Sequence, residues 1–381
     1  MLFPCLSNTF YTFVNFKKFF KIKYSLLKPK KKEILIYDYQ SWDFAKILFQ
    51  REKYDFLYVR YEIINLYVLI SSILKNGLRN LSYNYKKTYV EYVSPKIIFS
   101  SIDNDISFFL FRQQISKYCF ILVQNGMRDN FCVSIFKNYL KLKKKKIIFD
   151  YIFLFGDNDR IEYQKYFQAK IFSIGNIKNN SISVKKRNKK FNYVLYIQQA
   201  RIDRLENSFQ KKLWTREKKI LNVLAIISKD LNIKLIVLSK YSETYKNFFI
   251  SETNLKNFEY IYSGLLNNND RLELIDNSLI IITLFSTLGF EALARGKKVV
   301  FFPLKNCFPS LKYYKNYSSS GLFWSSSENF LVNQNLIKKI LYLSESNWGK
   351  ISKYYVNKIL RFDKNNFQIK KIINTISSKI N

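Results

Sequence analysis

Short apolar runs alternate with amphipathic segments through most of the chain. Predicted strands of the first series cover residues 33–37, 56–59, 96–100, 119–123, 151–155 and 171–174. Predicted helices between them cover residues 42–51, 62–74 and 108–117. A second series has predicted strands at 193–197, 234–238, 258–260, 279–283 and 298–302 and a helix at 214–231. Strands that alternate with helices predict an α/β protein with parallel sheets covered on both faces.

A polar, basic segment at 178–190 separates the two series and lacks apolar periodicity, which predicts a linker. The chain has 381 residues, enough for two domains that each bury a core. We therefore expect the following parts: a basic aromatic leader at 1–32, an N-terminal Rossmann-like domain at 33–180, a C-terminal Rossmann-like domain at 190–345 and helices at 346–381. For the leader, a loosely packed segment and a membrane-surface anchor both stay open.

The formal net charge of +36 favours anionic partners such as nucleotides, acidic glycans or an anionic membrane surface. Lys, Asn, Ile, Phe and Tyr are abundant while Gly, Pro and Met are scarce, so part of this charge reflects the residue usage of an AT-rich genome. No nucleic-acid-binding motif is recognisable, and a nucleic-acid-binding protein is the least favoured alternative. No apolar run reaches the roughly 18 residues that span a bilayer. We expect a cytoplasmic protein, with peripheral attachment to the inner face of the plasma membrane as an option.

The chain has no histidine, and its four cysteines (Cys5, Cys119, Cys132 and Cys307) are far apart in sequence. This pattern predicts neither a metal site nor a disulfide framework. Catalytic mechanisms that use a histidine base are excluded, so carboxylates are the expected general bases.

Polar residues follow several predicted strands of the N-terminal domain, where an open parallel sheet binds ligands. Asp103 is the favoured catalytic carboxylate and Glu62 the second candidate, although capping of the next helix is an alternative for Asp103. Three residues after the strand at 119–123 are expected to bind the acceptor. Gln124 and Asn125 offer amides to sugar hydroxyls, and Arg128 offers a guanidinium to a carboxylate or phosphate.

The most informative segment is 276–300, in which a buried strand leads into a turn, a short helix and a further strand. At the turn, Ser286 and Thr287 offer hydroxyls, and Gly289 is expected to let a ligand come close. The free N–H groups and the positive dipole of a helix start favour a diphosphate. In the loop after 193–197, Arg201 is expected to contact a phosphate of the same ligand.

The segment 286–296 resembles a signature in the C-terminal domain of GT-B glycosyltransferases and of CDP-glycerol phosphotransferase relatives. Asp103-Asn104, Gln124-Asn125-Gly126 and Phe155-Gly156-Asp157 resemble bacterial surface carbohydrate biosynthesis proteins. The resemblance spans roughly residues 33–345. It implies a GT-B architecture, in which two Rossmann-like parallel-sheet domains face a cleft.

The resemblance also implies that Glu291 binds the ribose of the donor while Ser286 and Thr287 face its phosphates. Capping of the helix is the alternative role for Glu291. The glycine-rich loop of many GT-B enzymes is missing, since residues 37–41 read Tyr-Asp-Tyr-Gln-Ser.

The expected activity is metal-independent transfer of a sugar from a nucleotide-activated donor, without a cofactor. The expected acceptor is a growing surface polysaccharide or a lipid-linked glycan. The alternative is a CDP-polyol (glycerol or ribitol) phosphotransferase of teichoic-acid type. Members of that class generally rely on histidines, which this chain lacks, and the same lack counts against a sugar-nucleotide epimerase.

Overall fold

The computed structural model describes residues 22–379 except 129, 189, 254, 256 and 306–319, so most of the predicted leader lies outside the described residues. In chain order the strands are β1 (Lys23–Ser25), β2 (Ile34–Tyr37), β3 (Tyr54–Leu57), β4 (Ile63–Asn65), β5 (Ile97–Ser100), β6 (Cys119–Val123), β7 (Ile147–Leu154), β8 (Phe167–Ser173), β9 (Tyr193–Ile197), β10 (Lys234–Ser239), β11 (Glu259–Tyr262), β12 (Ile280–Thr283) and β13 (Val299–Phe301).

The α-helices are α1 (Trp42–Leu48), α2 (Leu66–Asn76), α3 (Leu81–Val93), α4 (Ile106–Gln114), α5 (Asn130–Lys143), α6 (Asp157–Tyr166), α7 (Ile177–Asn180), α8 (Ser208–Asp230), α9 (Lys246–Glu252), α10 (Asn268–Asn277), α11 (Thr287–Ala294), α12 (Phe330–Tyr342), α13 (Glu345–Ile359) and α14 (Phe367–Lys379). In the part of the chain that the structure describes, no helix is long and apolar enough to cross a membrane.

The strands form two large sheets and one small one. The first large sheet has the order β3-β2-β5-β6-β7-β8, and its pairs β3–β2, β2–β5 and β5–β6 run parallel. The second has the order β11-β10-β9-β12-β13 and is parallel throughout. The predicted α/β class with two parallel sheets is confirmed.

Residue contacts divide the chain into two compact units. The first holds the described residues up to Val123 with Ile148–Ile152 and the chain from Asn374, and the second holds Gln124–Ile147 and Phe153–Ile373. This division differs from the predicted linker at 178–190, because the C-terminal segment packs on residues well before that linker. The Arg361 N–H donates to the Phe155 carbonyl at 2.9 Å, and its guanidinium donates to Asp157 at 2.8 Å.

Several local predictions were wrong in extent. The helix predicted at 62–74 starts only at Leu66, because the Asn65 side chain accepts a hydrogen bond from the Val68 N–H and caps it. Part of the charged loop predicted at 141–146 belongs to α5. Helix α3 was not predicted, since it buries tyrosines (Tyr85 and Tyr89) that read equally well as strand residues.

The described end of the leader is ordered rather than loosely packed. Strand β1 pairs in parallel with β4, with Ser25 opposite Asn65. The Lys32 N–H also donates to the Val93 carbonyl at 3.1 Å. Residues 22–32 therefore belong to the fold of the first unit.

Candidate functional site

The order of strands in the second sheet reverses between β9 and β12. These two strands are neighbours in the sheet although β10 and β11 separate them in sequence. Open parallel sheets bind ligands beyond the carboxyl ends of the strands at such a switch point. Here the two loops at that point are residues 198–201, after β9, and residues 284–286, after β12. The predicted strand, turn and helix of segment 276–300 thus meet at the position where this fold class binds ligands.

The turn after β12 leads directly into α11. The Ser286 hydroxyl accepts a hydrogen bond from the Leu288 N–H at 3.3 Å and caps the helix. The Thr287 hydroxyl accepts from the Met127 N–H at 3.4 Å. Both residues are half-buried, and the positive end of the α11 dipole lies at this turn. Their contact with a phosphate stays a prediction.

Gly289 has a packing role that the sequence did not predict. It is buried, and an added Cβ would lie 2.7 Å from Thr283 Cγ2 and 3.0 Å from Phe301 Cε1. The missing side chain therefore lets α11 pack closely on β12 and β13, and the predicted approach of a ligand to this glycine stays a prediction.

Gln199 joins the two switch-point loops. Its side-chain oxygen accepts from the Phe285 N–H at 2.5 Å and from the Thr283 hydroxyl at 3.1 Å. Its own N–H donates to the Glu217 carboxylate at 2.6 Å, which also accepts from the Ala200 N–H at 3.2 Å. Glu217 thus positions the loop after β9. The Gln199 side chain in turn holds the turn before α11 against that loop.

Glu217 is fully buried in helix α8. Burial raises the pKa of its carboxyl to about 7, while the hydrogen bonds from the Gln199 and Ala200 N–H groups act in the opposite direction. Sequence reasoning missed this residue, since its spacing on α8 is that of a core position.

Glu291 lies one turn into α11, where the resemblance placed a ribose ligand. The Asn176 side-chain amide donates to its carboxylate at 2.8 Å. Burial raises the pKa of Glu291 to about 7, although the positive charges of Arg271, Lys178 and Arg295 lower it. The cap of α11 is Ser286 rather than Glu291, and the binding of a ribose by Glu291 stays a prediction.

Asn176 lies in the short loop between β8 and α7. In the sequence, its position shortly after a predicted strand was the only feature that distinguished it. Arg271, on α10, also carried no sequence signal. With Lys178 these residues give the Glu291 region polar and cationic groups from two elements, α7 with its N-cap and α10. Such a mixture suits a ligand with hydroxyl and phosphate groups.

The C-terminal end of α11 is fixed by a buried ion pair. Arg295 donates to Asp276 through Nε at 2.9 Å and through Nη2 at 2.6 Å, and both side chains are fully buried. Arg295 also donates to the Ile182 and Ser183 carbonyls at 3.0 Å each. The pair therefore holds α10, α11 and the predicted linker together.

Arg201 lies in the loop after β9 and is exposed. Its guanidinium donates to Asp203 at 3.0 Å, and the Tyr241 hydroxyl donates to the other oxygen of that carboxylate at 2.9 Å. A donor phosphate would have to share Arg201 with Asp203, so the predicted contact stays a prediction.

In the first unit the polar edge lies at the carboxyl ends of β2 and β5. The Ser41 hydroxyl accepts from the Ser101 N–H at 2.9 Å, which links the two strand ends. Asp38 has a φ of 87°, a backbone conformation that favours glycine, and its carboxylate accepts from Gln40 N–H and from Arg60 Nε at 2.8 Å each. The loop at residues 37–41 thus contains one residue in a glycine-like conformation, Asp38, although it is not glycine-rich.

The two predicted catalytic carboxylates differ in access. Asp103 is completely buried, whereas Glu62 is exposed in the loop before β4. Asp105, the neighbouring carboxylate, caps α4 by accepting from the Ser107 N–H at 2.8 Å. Solvent therefore reaches Glu62 and does not reach Asp103, and the catalytic role of either stays a prediction.

The predicted acceptor residues are engaged within the second unit. Gln124 is buried, accepts from the Phe155 N–H at 2.8 Å and donates to the Gly126 carbonyl at 3.0 Å and to Asp159 at 3.1 Å. These contacts use its amide in the folded chain, and the expectation that it binds sugar hydroxyls stays a prediction. Arg128 donates to the Asn125 side chain at 2.5 Å, and both are half-buried.

Among the described residues, no group of three or more histidine, cysteine or acidic side chains could hold a metal ion. Cys119 is half-buried and free of a disulfide, while Cys5 and Cys307 lie outside the described residues.

The two parallel sheets define a glycosyltransferase-like fold of the GT-B type, and solved structures share it. A structure described as "putative UDP-N-acetylglucosamine 2-epimerase" from Listeria monocytogenes has a TM-score of 0.55 and 13% identity, with 91% of this chain and 96% of that chain covered. A UDP co-structure of S. aureus MnaA has a TM-score of 0.54 and 13% identity, covering 92% and 97%. The H548A variant of the wall teichoic acid polymerase TagF gives 0.53 and 12%, covering 92% and 90%. At these identities the likeness shows the fold alone.

Residues 121–377, more than half of the chain, match the family described as "putative O-antigen biosynthesis protein". The chain belongs to this family of O-antigen biosynthesis proteins. The comparison with curated proteins gave no match.

Proposed function

We propose that the protein is a glycosyltransferase that moves a sugar from a nucleotide-activated donor to a growing surface polysaccharide or a lipid-linked glycan. The observation that carries this proposal is the second sheet's switch point, where Ser286, Thr287 and Glu291 lie on one turn and the helix that follows it. Membership of the O-antigen biosynthesis family supports the product class.

In the proposed complex the donor diphosphate lies at the start of α11, where the Ser286 and Thr287 hydroxyls and the helix dipole stabilise negative charge. Glu291 and Asn176 form hydrogen bonds with the ribose hydroxyls, and the Arg201 guanidinium binds the phosphates. Structures of the same fold that were solved with nucleotide ligands, MnaA with UDP and TagF with CDPG, support a nucleotide as ligand.

The proposed reaction needs a base and a stabilised leaving group. A carboxylate takes the proton of the acceptor hydroxyl, the acceptor oxygen bonds to the anomeric carbon, and the bond from that carbon to the phosphate oxygen breaks. Of the two candidates, Glu62 is the exposed carboxylate. The dipole of α11 and the charges of Arg271 and Lys178 stabilise the departing nucleotide, so we propose that no metal is required.

A thermal-shift panel of UDP, GDP, CMP, CDP and dTDP identifies the nucleotide, because a ligand that binds the folded state raises the melting temperature. The matching nucleotide sugar is then incubated with a lipid-linked glycan, with and without EDTA. We expect nucleotide release that requires the acceptor and persists in EDTA. Conversion of the donor to its epimer without acceptor would contradict transfer, and loss of activity in EDTA would contradict metal independence.

The likeness to TagF favours a second candidate, transfer of a polyol phosphate from a CDP-activated donor. Parallel reactions with CDP-glycerol separate the two. If a polyol-phosphate product forms and no nucleotide sugar supports transfer, the protein is a polyol-phosphate transferase and the glycosyltransferase proposal is wrong.

A further inference from the structure

Helix α2 turns apolar side chains towards solvent. Tyr67, Ile70 and Leu74 share one side of the helix by their spacing, and they are 39%, 57% and 82% exposed. The opposite side buries Val68 and Ser72. Helix α2 is thus apolar on its exposed side as well as on its buried side, unlike the usual surface helix, which turns its polar side to solvent.

The leader extends this apolar face at the start of the helix. Leu26 and Leu27 are 72% and 80% exposed. The Asn65 side chain, which caps α2, donates to the Leu27 carbonyl at 2.8 Å and so fixes this pair beside the first turn. At the other end, Leu78 follows the helix and is 72% exposed. We call these six residues the α2 surface: Leu26, Leu27, Tyr67, Ile70, Leu74 and Leu78.

Basic residues border the α2 surface. The Tyr92 ring lies 5.5 Å from the Tyr67 ring, and the ammonium groups of Lys28 and Lys75 lie 5.2 Å and 5.4 Å from its centre. Lys30 and Lys31 are exposed further along the leader. The nearest ion pair is loose, with Lys75 Nζ 4.0 Å from the Glu91 carboxylate. An apolar centre with a cationic border is the pattern of a segment that lies in a membrane interface.

We propose that the α2 surface docks the first unit on an anionic lipid bilayer. Its apolar side chains enter the boundary between headgroups and acyl chains, and Lys28, Lys30, Lys31 and Lys75 contact the anionic lipids. Pairing with a second copy is disfavoured, because a symmetric contact would bring the same lysines of both copies together. The proposal does not depend on glycosyl transfer.

The test is sedimentation of the full chain with phosphatidylcholine vesicles that contain or lack phosphatidylglycerol, at low and high salt. We expect binding to the anionic vesicles that weakens with salt. The double variant Ile70→Glu/Leu74→Glu should lower the partition coefficient about tenfold or more, since two exposed apolar side chains no longer enter the interface. Leu142→Glu is the matched control, because Leu142 is 68% exposed beside the basic run 143–146 of the second unit.

Absence of wild-type binding to anionic vesicles would overturn the proposal. Equal losses in the control and the double variant would overturn it as well. Deletion of residues 1–21 separates the α2 surface from the preceding segment. If the deletion abolishes binding while the double variant binds as wild type, the N-terminal segment is the anchor. The native mass of each protein is also measured over a range of concentrations. If the wild type self-associates, the double variant does not, and both bind vesicles equally, the α2 surface is a self-association surface.

Discussion

The side-chain amide of Asn176 donates a 2.8 Å hydrogen bond to the carboxylate of Glu291, although 115 residues separate the two in sequence. The contact brings the segment after β8 to the helix that follows the switch-point turn. It orients the Glu291 carboxylate, and we propose that the second oxygen accepts a ligand hydroxyl. The proposed ribose site is therefore a pair of residues rather than one glutamate.

The first prediction concerns the pH dependence of nucleotide binding. Burial raises the pKa of Glu291 to about 7, so its carboxylate becomes fully ionised only above that pH. An ionised carboxylate accepts a hydrogen bond from a ribose hydroxyl better than a protonated one, and the affinity should rise as the pH increases through about 7. Glu291→Gln should remove this component. Both proteins are titrated with the nucleotide by calorimetry across the same pH range. Ionisation of the nucleotide phosphate affects both proteins equally, so it drops out of the comparison. Identical pH profiles would rule out ribose binding by the Glu291 carboxylate.

The second prediction concerns Glu217 as a positioning residue. In Glu217→Gln one of the Gln199 and Ala200 N–H groups loses its acceptor, so Gln199 no longer holds the Phe285 N–H firmly. We expect the nucleotide affinity to fall about tenfold, an order set by the loss of one hydrogen bond to a charged group. Glu252→Gln is the control, since Glu252 forms an exposed pair with Lys218. If both variants bind as wild type, the link through Gln199 does not position the turn.

The third prediction concerns stability. The pKa of Glu217 rises from 4.5 to about 7 on folding, so the folded state binds the proton more tightly than the unfolded state. Its contribution is fully present below pH 4.5 and is lost as the pH rises towards 7, by at most about 3 kcal/mol. Glu217→Gln should flatten this decline in urea unfolding measured at a series of pH values. Parallel curves for the two proteins would contradict the assignment.

The fourth prediction concerns the buried pair of Arg295 and Asp276. Arg295→Met leaves the Asp276 charge buried without its bidentate partner and should destabilise the protein by about 3–5 kcal/mol. Adding Asp276→Leu should recover part of this loss, because the buried carboxylate is then removed; the recovery is incomplete because Lys297, 3.6 Å from that carboxylate, loses its partner. The midpoints of urea unfolding compare the three proteins. A single variant as stable as wild type would show that the pair is not important for the fold.

The fifth prediction separates the two carboxylates of the first unit. Glu62 is exposed, so Glu62→Gln should lower turnover by about 10² or more while nucleotide binding survives. Asp103 is completely buried, so Asp103→Asn should act mainly on the unfolding midpoint. An inactive, fully stable Asp103→Asn would return the catalytic role to Asp103.

The strand, turn and helix of segment 276–300 could be predicted because their signals are local. Three isoleucines before Thr283 indicate a buried strand, Ser286 is a common helix cap, and Gly296, with a φ of 78°, ends the helix. Glu217 could not be predicted, because only the folded structure brings α8 beneath the loop after β9. The contacts of Gln124 could not be predicted for the same reason, since its partners Phe155 and Asp159 come from distant segments. Gly289 shows that a glycine in a ligand-binding motif can serve packing.

The most direct test of the nucleotide site is calorimetric titration of the identified nucleotide into the wild type, Glu291→Ala and Ser286→Ala. Glu345→Ala is the control, since Glu345 has a side chain that is 84% exposed at the start of α13. We predict that Glu291→Ala and Ser286→Ala each weaken binding by about tenfold or more while their folds persist, and that the control binds as wild type. Unchanged nucleotide affinity in both site variants would place the donor elsewhere and contradict the proposed site.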